Sequence, residues 1–284
     1  MPWCAWSPHH ITSIFYPVYT SSPLSTGSLG IGLAVEPGYT SCFPGVEEPL
    51  TETARRALRL IGARDLRGKF ISPLPPGRGY AVSAASAITS VLASVKIGGR
   101  KVGVLEALQA AHKAEVLERT GLGDVLALSC GIGIVIRLHP GAPGLGRVEC
   151  VPLPRSIGII SVEGEGRSTR ELLSEGYIRE SAPLALRLIR RVSDEMSLES
   201  FVYASRIYTD RLNLLRHVVG GQVDIVRSTP GLIGYYAKKS VAVVIVEEDR
   251  LGDAFEHLGN LKGVSLRLLR PSESGVRVWW DYGT

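Results

Sequence analysis

Apolar runs broken by glycine and proline turns fill the first part of the chain. ITSIFYPVY (11–19), GSLGIGLAVE (27–36) and YTSCF (39–43) are short and rich in β-branched and aromatic residues, as strands or strand fragments are. TETARRALRLIG (51–62) changes to helical spacing, opened by Thr51 or Thr53 as a cap and closed by Gly62. KFIS (69–72) predicts a strand. AVSAASAITSVLASV (81–95) predicts a buried helix, because good helix formers carry apolar residues all round. A further helix is predicted over VGVLEALQAAHKAEVLERTG (102–121), ended by Gly121, and a strand over GIGIVIRL (131–138). After the Gly/Pro loop HPGAPGLGR (139–147), SIGIISVEG (156–164) predicts a strand, and residues 168–219 predict several helical segments. The tail reads strand, helix, strand, strand: SVAVVIVEE, LGDAFEHLG, VSLRLLR, VRVWWDY. Strands and helices mixed in both halves predict an α+β fold of two lobes, 1–150 and 151–284. No internal repeat stands out.

Composition narrows the class. With 284 residues, 45% hydrophobic and 21% charged, the chain is long enough for a real core and is globular. A net charge of +5 favours an anionic ligand, but Lys and Arg are scattered without a basic block, so nucleic acid is not an expected partner. The densest basic patch, RLIRRVS around Arg187, Arg190 and Arg191, suits a solvated helix face. The start, MPWCAWSPHHITSIFYP, has neither a basic opening nor an unbroken apolar core, and the helix near 81–95 is too short and serine-rich to span a bilayer. A soluble, cytoplasmic protein without a membrane partner is expected, and a homodimer is left open. Cys4, Cys42, Cys130 and Cys150 are irregularly spaced without CxxC, which suggests neither zinc nor a disulfide framework, and Cys130 reads as a buried structural thiol.

The stretch PPGRGYAVSAASAI (75–88) carries the first chemistry. Pro75 and Pro76 stiffen the approach, Gly77 and Gly79 allow unusual backbone angles, and the following helix opens with unpaired N–H groups. That is a ready phosphate site, or simply a tight turn into a core helix. A Walker motif is absent, and GSLGIG (27–32) and GAPGLG (141–146) both read as turns. On the third helix, His112, Glu115 and Arg119 share one face by spacing, and the turn TGLGD presents Asp124 just beyond. Glu115 and Asp124 could converge on a metal or a proton. The bland alternatives are a Glu115–Arg119 pair and a cap by Asp124 on the helix beginning VLALS.

PPGRGYAVSAASAI also resembles the second signature of the GHMP kinases, P-x-x-x-G-L-G-S-S-A-A. Pro75, Gly79, Ser83, Ala84 and Ala85 match, Tyr80 stands for the leucine, and Ala81 and Val82 replace a glycine and a serine. WSPHHITSIFYPVYTSSPLSTGSLGIGLAVEPG and AAHKAEVLERTGLGDVLALSCGIGIVIRLHPGAPG are similar to the archaeal branch of that superfamily that phosphorylates pantoate. The resemblance covers the first half of the chain. RSTPGLIGYYAKKSVAVVIV stands where a glycine-rich third signature is usual. It implies the two-lobed GHMP fold: an N-terminal lobe like the second domain of ribosomal protein S5 and a ferredoxin-like C-terminal lobe. It further implies ATP and Mg²⁺ as cofactors and pantoate as the small-molecule substrate, converted to 4-phosphopantoate. Homoserine or a mevalonate-like alcohol, or binding of a ligand without catalysis, are the alternatives. Carried over by position, Pro76, Gly77, Gly79, Tyr80, Ala81, Val82, Ser83 and Ala84 would wrap the nucleotide phosphates. Ser83 and Glu115 would hold the metal, and Asp124 would take or orient the proton of the acceptor hydroxyl. Ser28, His112, Arg137 and His10 would bind the substrate. A methyl at Ala81 is tolerable there only if its backbone angle is ordinary.

Overall fold

The computed structural model describes residues 2–63, 66–95, 97, 101–165 and 175–280. Two long antiparallel strands, β1 (Trp3–Val18) and β2 (Gly27–Glu47), form its spine. The first-half strands β3 (Gly68–Ile71), β4 (Ile134–His139) and β5 (Arg147–Val151) add to β2 and to each other. From the second half come β6 (Ile157–Glu163), β7 (Leu232–Lys238), β8 (Val241–Glu247), β9 (Ser265–Pro271) and β10 (Arg277–Trp280). Hydrogen bonding runs β10–β1–β2–β9–β6–β8–β7, so the tail returns to pair with the start of the chain. Every residue of β6 is buried, as a strand flanked by β8 and β9 and covered on both faces should be.

The predicted helices fall close to their expected places. Helix α1 (Glu52–Leu60) is capped by Thr51, whose hydroxyl accepts from the Ala54 N–H at 3.1 Å. Helix α2 (Val82–Ser94) is buried at every position except Ser83. Its hydroxyls are paired inside the core, Ser86 with Thr51 at 2.6 Å and Thr89 with Ser41 at 2.7 Å, which removes the cost of burying them. Helix α3 (Val104–Leu117) leads through a glycine turn to α4 (Asp124–Cys130). Helices α5 (Glu175–Glu195), α6 (Leu198–Arg211), α7 (Leu214–Val219) and α8 (Val223–Arg227) form the helical region expected over 168–219, whose first residues, through 174, lie outside the described part. Arg187, Arg190 and Arg191 lie on the exposed face of α5. Helix α9 (Leu251–Leu258) separates β8 from β9.

Four expectations are corrected. GSLGIGLAVE and YTSCF are one strand, and GSLGIG is extended β2 backbone, not a turn. Its glycines are there because side chains cross above them: a Cβ on Gly30 would strike the Arg137 guanidinium, and one on Gly32 would lie 2.6 Å from His10 Nε2. Cys4 is bonded to Cys42 and Cys130 to Cys150, so Cys130 is no free thiol. The β1–β2 register sets Cys4 opposite Cys42, a long-range fact that linear spacing does not carry. Arg119 does not pair with Glu115, because the helix stops first and Arg119 turns into the left-handed region (φ 54°) and is exposed. Asp124 is itself the first residue of α4, with Gly123 in the cap position.

Candidate active site

Asp124 is the centre of a buried polar network. The His10 Nδ1–H donates to Asp124 Oδ1 at 2.8 Å, and the Thr12 hydroxyl donates to the same oxygen at 3.2 Å. His10 and Thr12 are two apart on β1 and so present one face of the strand. Arg137, from β4, donates through Nη1 to Thr12 Oγ1 at 3.4 Å and lies 3.7 Å from Asp124 Oδ1. Oδ1 is thus fully engaged. Oδ2 faces Gly121, where an added Cβ would sit 3.1 Å from it. The Asp124 side chain keeps 18% of its surface exposed, while those of His10 and Arg137 keep 0% and 2%, so Asp124 is the member of the network that can be reached.

Charge follows from that geometry. Burial alone would raise the Asp124 carboxyl, but the His10 hydrogen bond and the positive charge of Lys238 and Arg137 hold it well below the usual range. His10 is pushed down to about 4 by burial, against the pull of Asp124, and so is neutral near pH 7. Glu115 behaves oppositely. Burial first, then the negative charge of Asp124, raises it to about 8. Its Oε2 accepts the Val125 N–H at 3.3 Å, closing the first turn of α4, and Oε1 is turned to Gly121.

A small pocket opens over this network. Thr12, Phe15, Ser28, Asp124 and Arg137 line it together with the 120–123 turn, and Lys238 and Lys239 close it from the β7–β8 turn. Burial pushes the Lys238 amine down to about 7, opposed chiefly by the charge of Asp124. Of the predicted residues, Ser28, Asp124 and Arg137 therefore meet at one pocket. His10 stands behind Asp124, not on the wall, and His112 is fully buried, its Nε2–H donating to the Thr26 carbonyl at 2.9 Å just ahead of β2. Sequence reading missed Thr12, Phe15, Lys238 and Lys239. A paired polar signal, His10 and Thr12 inside an apolar strand, was available for the first. Adjacent lysines between two apolar strands were the signal for the last two.

The 75–83 loop approaches from the side. His9 Nδ1–H donates to the Tyr80 carbonyl at 3.1 Å, and Arg78 Nη1 donates to the Gly164 carbonyl at 3.2 Å. The Tyr80 ring is fully buried, its hydroxyl 2.8 Å from Glu163 Oε1 and 2.9 Å from Ser161 Oγ on β6. Val82 and Ala84 are also buried, so Tyr80, Val82 and Ala84 can offer a ligand only backbone. Ala81 takes the left-handed conformation (φ 55°, ψ 33°), so its angle is not ordinary, and the glycine it replaces would sit there without strain. Gly77 and Gly79 also have positive φ, as the loop reading requires.

Residues 50–131 match the family model of the GHMP kinases N terminal domain. That stretch of the chain is similar to the GHMP kinases. The chain is 28% identical over 280 residues to a pantoate kinase of Thermococcus kodakarensis, covering 86% of this chain and 88% of that protein. Among solved structures, a phosphotransferase related to the CoA biosynthesis pathway superposes over 100% of both chains with a TM-score of 0.82 at 23% identity. A second, described as MDDEF in complex with MVAPP, AMPPCP and magnesium, matches 98% of this chain and 99% of its own with a TM-score of 0.67 at 12% identity. The likeness of fold therefore extends over the whole chain, past the matched domain. No helix among the described residues is long and apolar enough to cross a membrane.

The residues of this site fit a divalent cation that shares its ligands with phosphate. Among the described residues no three His, Cys, Asp or Glu side chains cluster to bind a metal alone. Mg²⁺ rarely needs such a cage, and is held by one or two protein oxygens together with phosphates and water. Glu115 suits it, since a buried carboxyl raised by a neighbouring carboxylate would be relieved by positive charge.

Proposed function

We propose that this chain is an ATP-dependent pantoate kinase, passing the γ-phosphoryl group of ATP to the pantoate hydroxyl to give 4-phosphopantoate and ADP. One observation carries the reading: the ionised Asp124 has one oxygen committed to His10 and Thr12 and the other turned to a pocket that it shares with Arg137 and Ser28. The pantoate kinase relative, aligned over most of the chain, supports the choice of substrate.

In this reading the acceptor hydroxyl lies against Asp124 Oδ2, which orients it and takes its proton as the new O–P bond forms. Buried Arg137 receives the acceptor carboxylate. Its Nε has no hydrogen-bond partner among the described residues and faces Gly123 on the pocket wall, where an added Cβ would lie 3.1 Å away. Ser28 supplies a hydroxyl at the same wall. His112 acts one step back, holding the Thr26 carbonyl and with it the entry to β2 that carries Ser28. His10 keeps Asp124 in one rotamer. The backbone from Pro76 to Ala84 would receive the ATP phosphates at the start of α2. Ser83 and Glu115 would hold Mg²⁺, which when bound neutralises charge on the β- and γ-phosphates.

The test is ADP release with Mg²⁺-ATP against pantoate, homoserine, mevalonate and no acceptor. Turnover with pantoate alone is expected. Turnover with another acceptor would overturn the substrate, and silence across the panel with ATP still bound would favour a ligand-binding protein. Asp124→Asn keeps the shape and should lower kcat by about 10²–10⁴-fold with the fold intact. Near-native turnover in that variant would remove Asp124 from the reaction.

A further inference from the structure

The second half of the chain reaches the pocket at one place, the turn between β7 and β8. Lys238 and Lys239 line the same pocket as Asp124 and Arg137, although more than a hundred positions separate them in sequence. The turn is held in place. Lys238 pairs with Val241 in the last rung of the β7–β8 ladder, and Lys239 is left-handed (φ 55°). Gly79 of the phosphate loop packs against it: an added Cβ there would be 3.4 Å from the Lys238 carbonyl oxygen and 3.6 Å from Lys239 Cβ. Lys238 Nζ sits 5.0 Å from the centre of the Phe15 ring, a cation–π contact with another pocket residue. Both lysines are half-buried, and among the described residues neither ammonium has a hydrogen bond or ion pair.

Half-buried ammonium groups without a bonded anion are unfavourable unless something else supplies negative charge. Arg137, Lys238 and Lys239 outnumber Asp124 on the lining of this pocket, and Asp124 Oδ1 is already taken. An anionic ligand between the turn and the phosphate loop completes the balance. Lysine is a compact point charge that can follow a moving, non-planar group, whereas the planar Arg137 fork suits a fixed carboxylate.

We propose that Lys238 is a catalytic residue that contacts the γ-phosphoryl group during transfer, with Lys239 holding the β7–β8 turn over the phosphate loop. The proposal rests on the kinase reading above. The acceptor oxygen attacks the γ-phosphorus, and its bond forms as the bond to the β–γ bridging oxygen breaks. The hydroxyl proton passes to Asp124, and the electron pair leaves with ADP. The negative charge of the bound triphosphate favours the ammonium form of Lys238. That form stabilises the γ-phosphoryl oxygens, which exist neither in ADP nor in the acceptor.

Lys238→Met keeps the length and removes the charge, and Lys238→Arg restores a charge. In turnover, Lys238→Met should lower kcat by about 10²-fold while the KM for the acceptor changes little, and Lys238→Arg should recover part of the loss. A rise in acceptor KM with kcat unchanged would place Lys238 on the acceptor and overturn the proposal. A second measurement does not need turnover: the affinities of the Mg²⁺ complexes of AMPPCP and of ADP, by calorimetry. Lys238→Met should narrow the preference for AMPPCP by about tenfold, equal to about 1.4 kcal/mol, and Lys238→Arg should keep it. An unchanged ratio overturns the lysine assignment. If the wild type phosphorylates none of the acceptors, the pantoate kinase reading fails by itself, and the affinity ratio still decides Lys238. Failure of the wild type to bind either nucleotide would overturn both.

Discussion

Gly30→Ala adds a single methyl, yet the fold gives it nowhere to go. Gly30 lies near the start of β2, paired with Phe15 of β1 on one side and with Arg137 of β4 on the other. The new Cβ would overlap Arg137 Nη2, and would lie 2.5 Å from the Ile14 carbonyl oxygen and 3.2 Å from Arg137 Cζ. The carbonyl is backbone in a two-sided ladder and cannot retreat cheaply, so the guanidinium must move. Overpacking of this kind costs about 1–3 kcal/mol. At about 2–4 °C per kcal/mol for a chain of this size, the melting temperature should fall by roughly 2–12 °C. Displacing Arg137 by about 1 Å should also lower kcat/KM by about 10²-fold, because transfer depends on placement. Thermal melts and steady-state kinetics on the purified variant measure both. Gly252→Ala is the control: nothing lies within 4 Å of its added Cβ in α9, so replacing a helical glycine should raise stability, by up to about 1 kcal/mol. A Gly30→Ala protein with unchanged melting and kcat/KM within about threefold of wild type would refute the crowding argument.

Ala81→Gly should stabilise the protein by about 0.5–1 kcal/mol in urea unfolding, because alanine is held at φ 55° where glycine is unstrained; a loss of stability would show that the methyl packs favourably. Folding keeps His9 neutral, its pKa pushed down from 6.5 to about 4 by burial against the Tyr80 hydrogen bond, so the unfolded chain binds the extra proton between those values. This contribution is full above about pH 6.5 and is lost toward pH 4 at about 1.4 kcal/mol per pH unit; His10 adds a like one, buried His112 acts in the same direction, and Glu115, raised to about 8, opposes them. His9→Gln, which can still donate to the Tyr80 carbonyl, should lower the slope of stability against pH between about 4 and 6.5 by about 1.4 kcal/mol per pH unit in pH-resolved unfolding, and an unchanged slope would rule His9 out. Reduction opens loops with sequence separations of 38 and 20 residues. Each disulfide should be worth about 3–4 kcal/mol in the chain-entropy model, so a reductant should lower the melting temperature clearly. Four thiols titrating in the unfolded, unreduced protein would show that neither bond exists.

The elements were legible because each is a local pattern. Thr51 caps α1 as its position predicts, and α2 is buried all round, as a helix without a polar face must be. The nearness of Glu115 to Asp124 was also legible, since a helix end and a short glycine turn leave little freedom between them. The surroundings of Asp124 were not. His10, Thr12, Arg137 and Lys238 come from strands β1, β4 and β7, and only strand pairing brings them to one carboxylate.

Sequence by itself determined the succession of helices and strands, the glycine-bearing loop ahead of α2, and the family resemblance. Tertiary structure decided which glycines are turns and which are clearances. The GAPGLG stretch bends the chain at Gly141 and Gly144, whereas Gly30 and Gly32 are extended and exist to let Arg137 and His10 pass. It also decided that Cys4 meets Cys42 and that Lys238 meets Phe15. The reason is physical: hydrophobic period and capping are read within a few residues, while register and close approach depend on what the rest of the chain lays alongside.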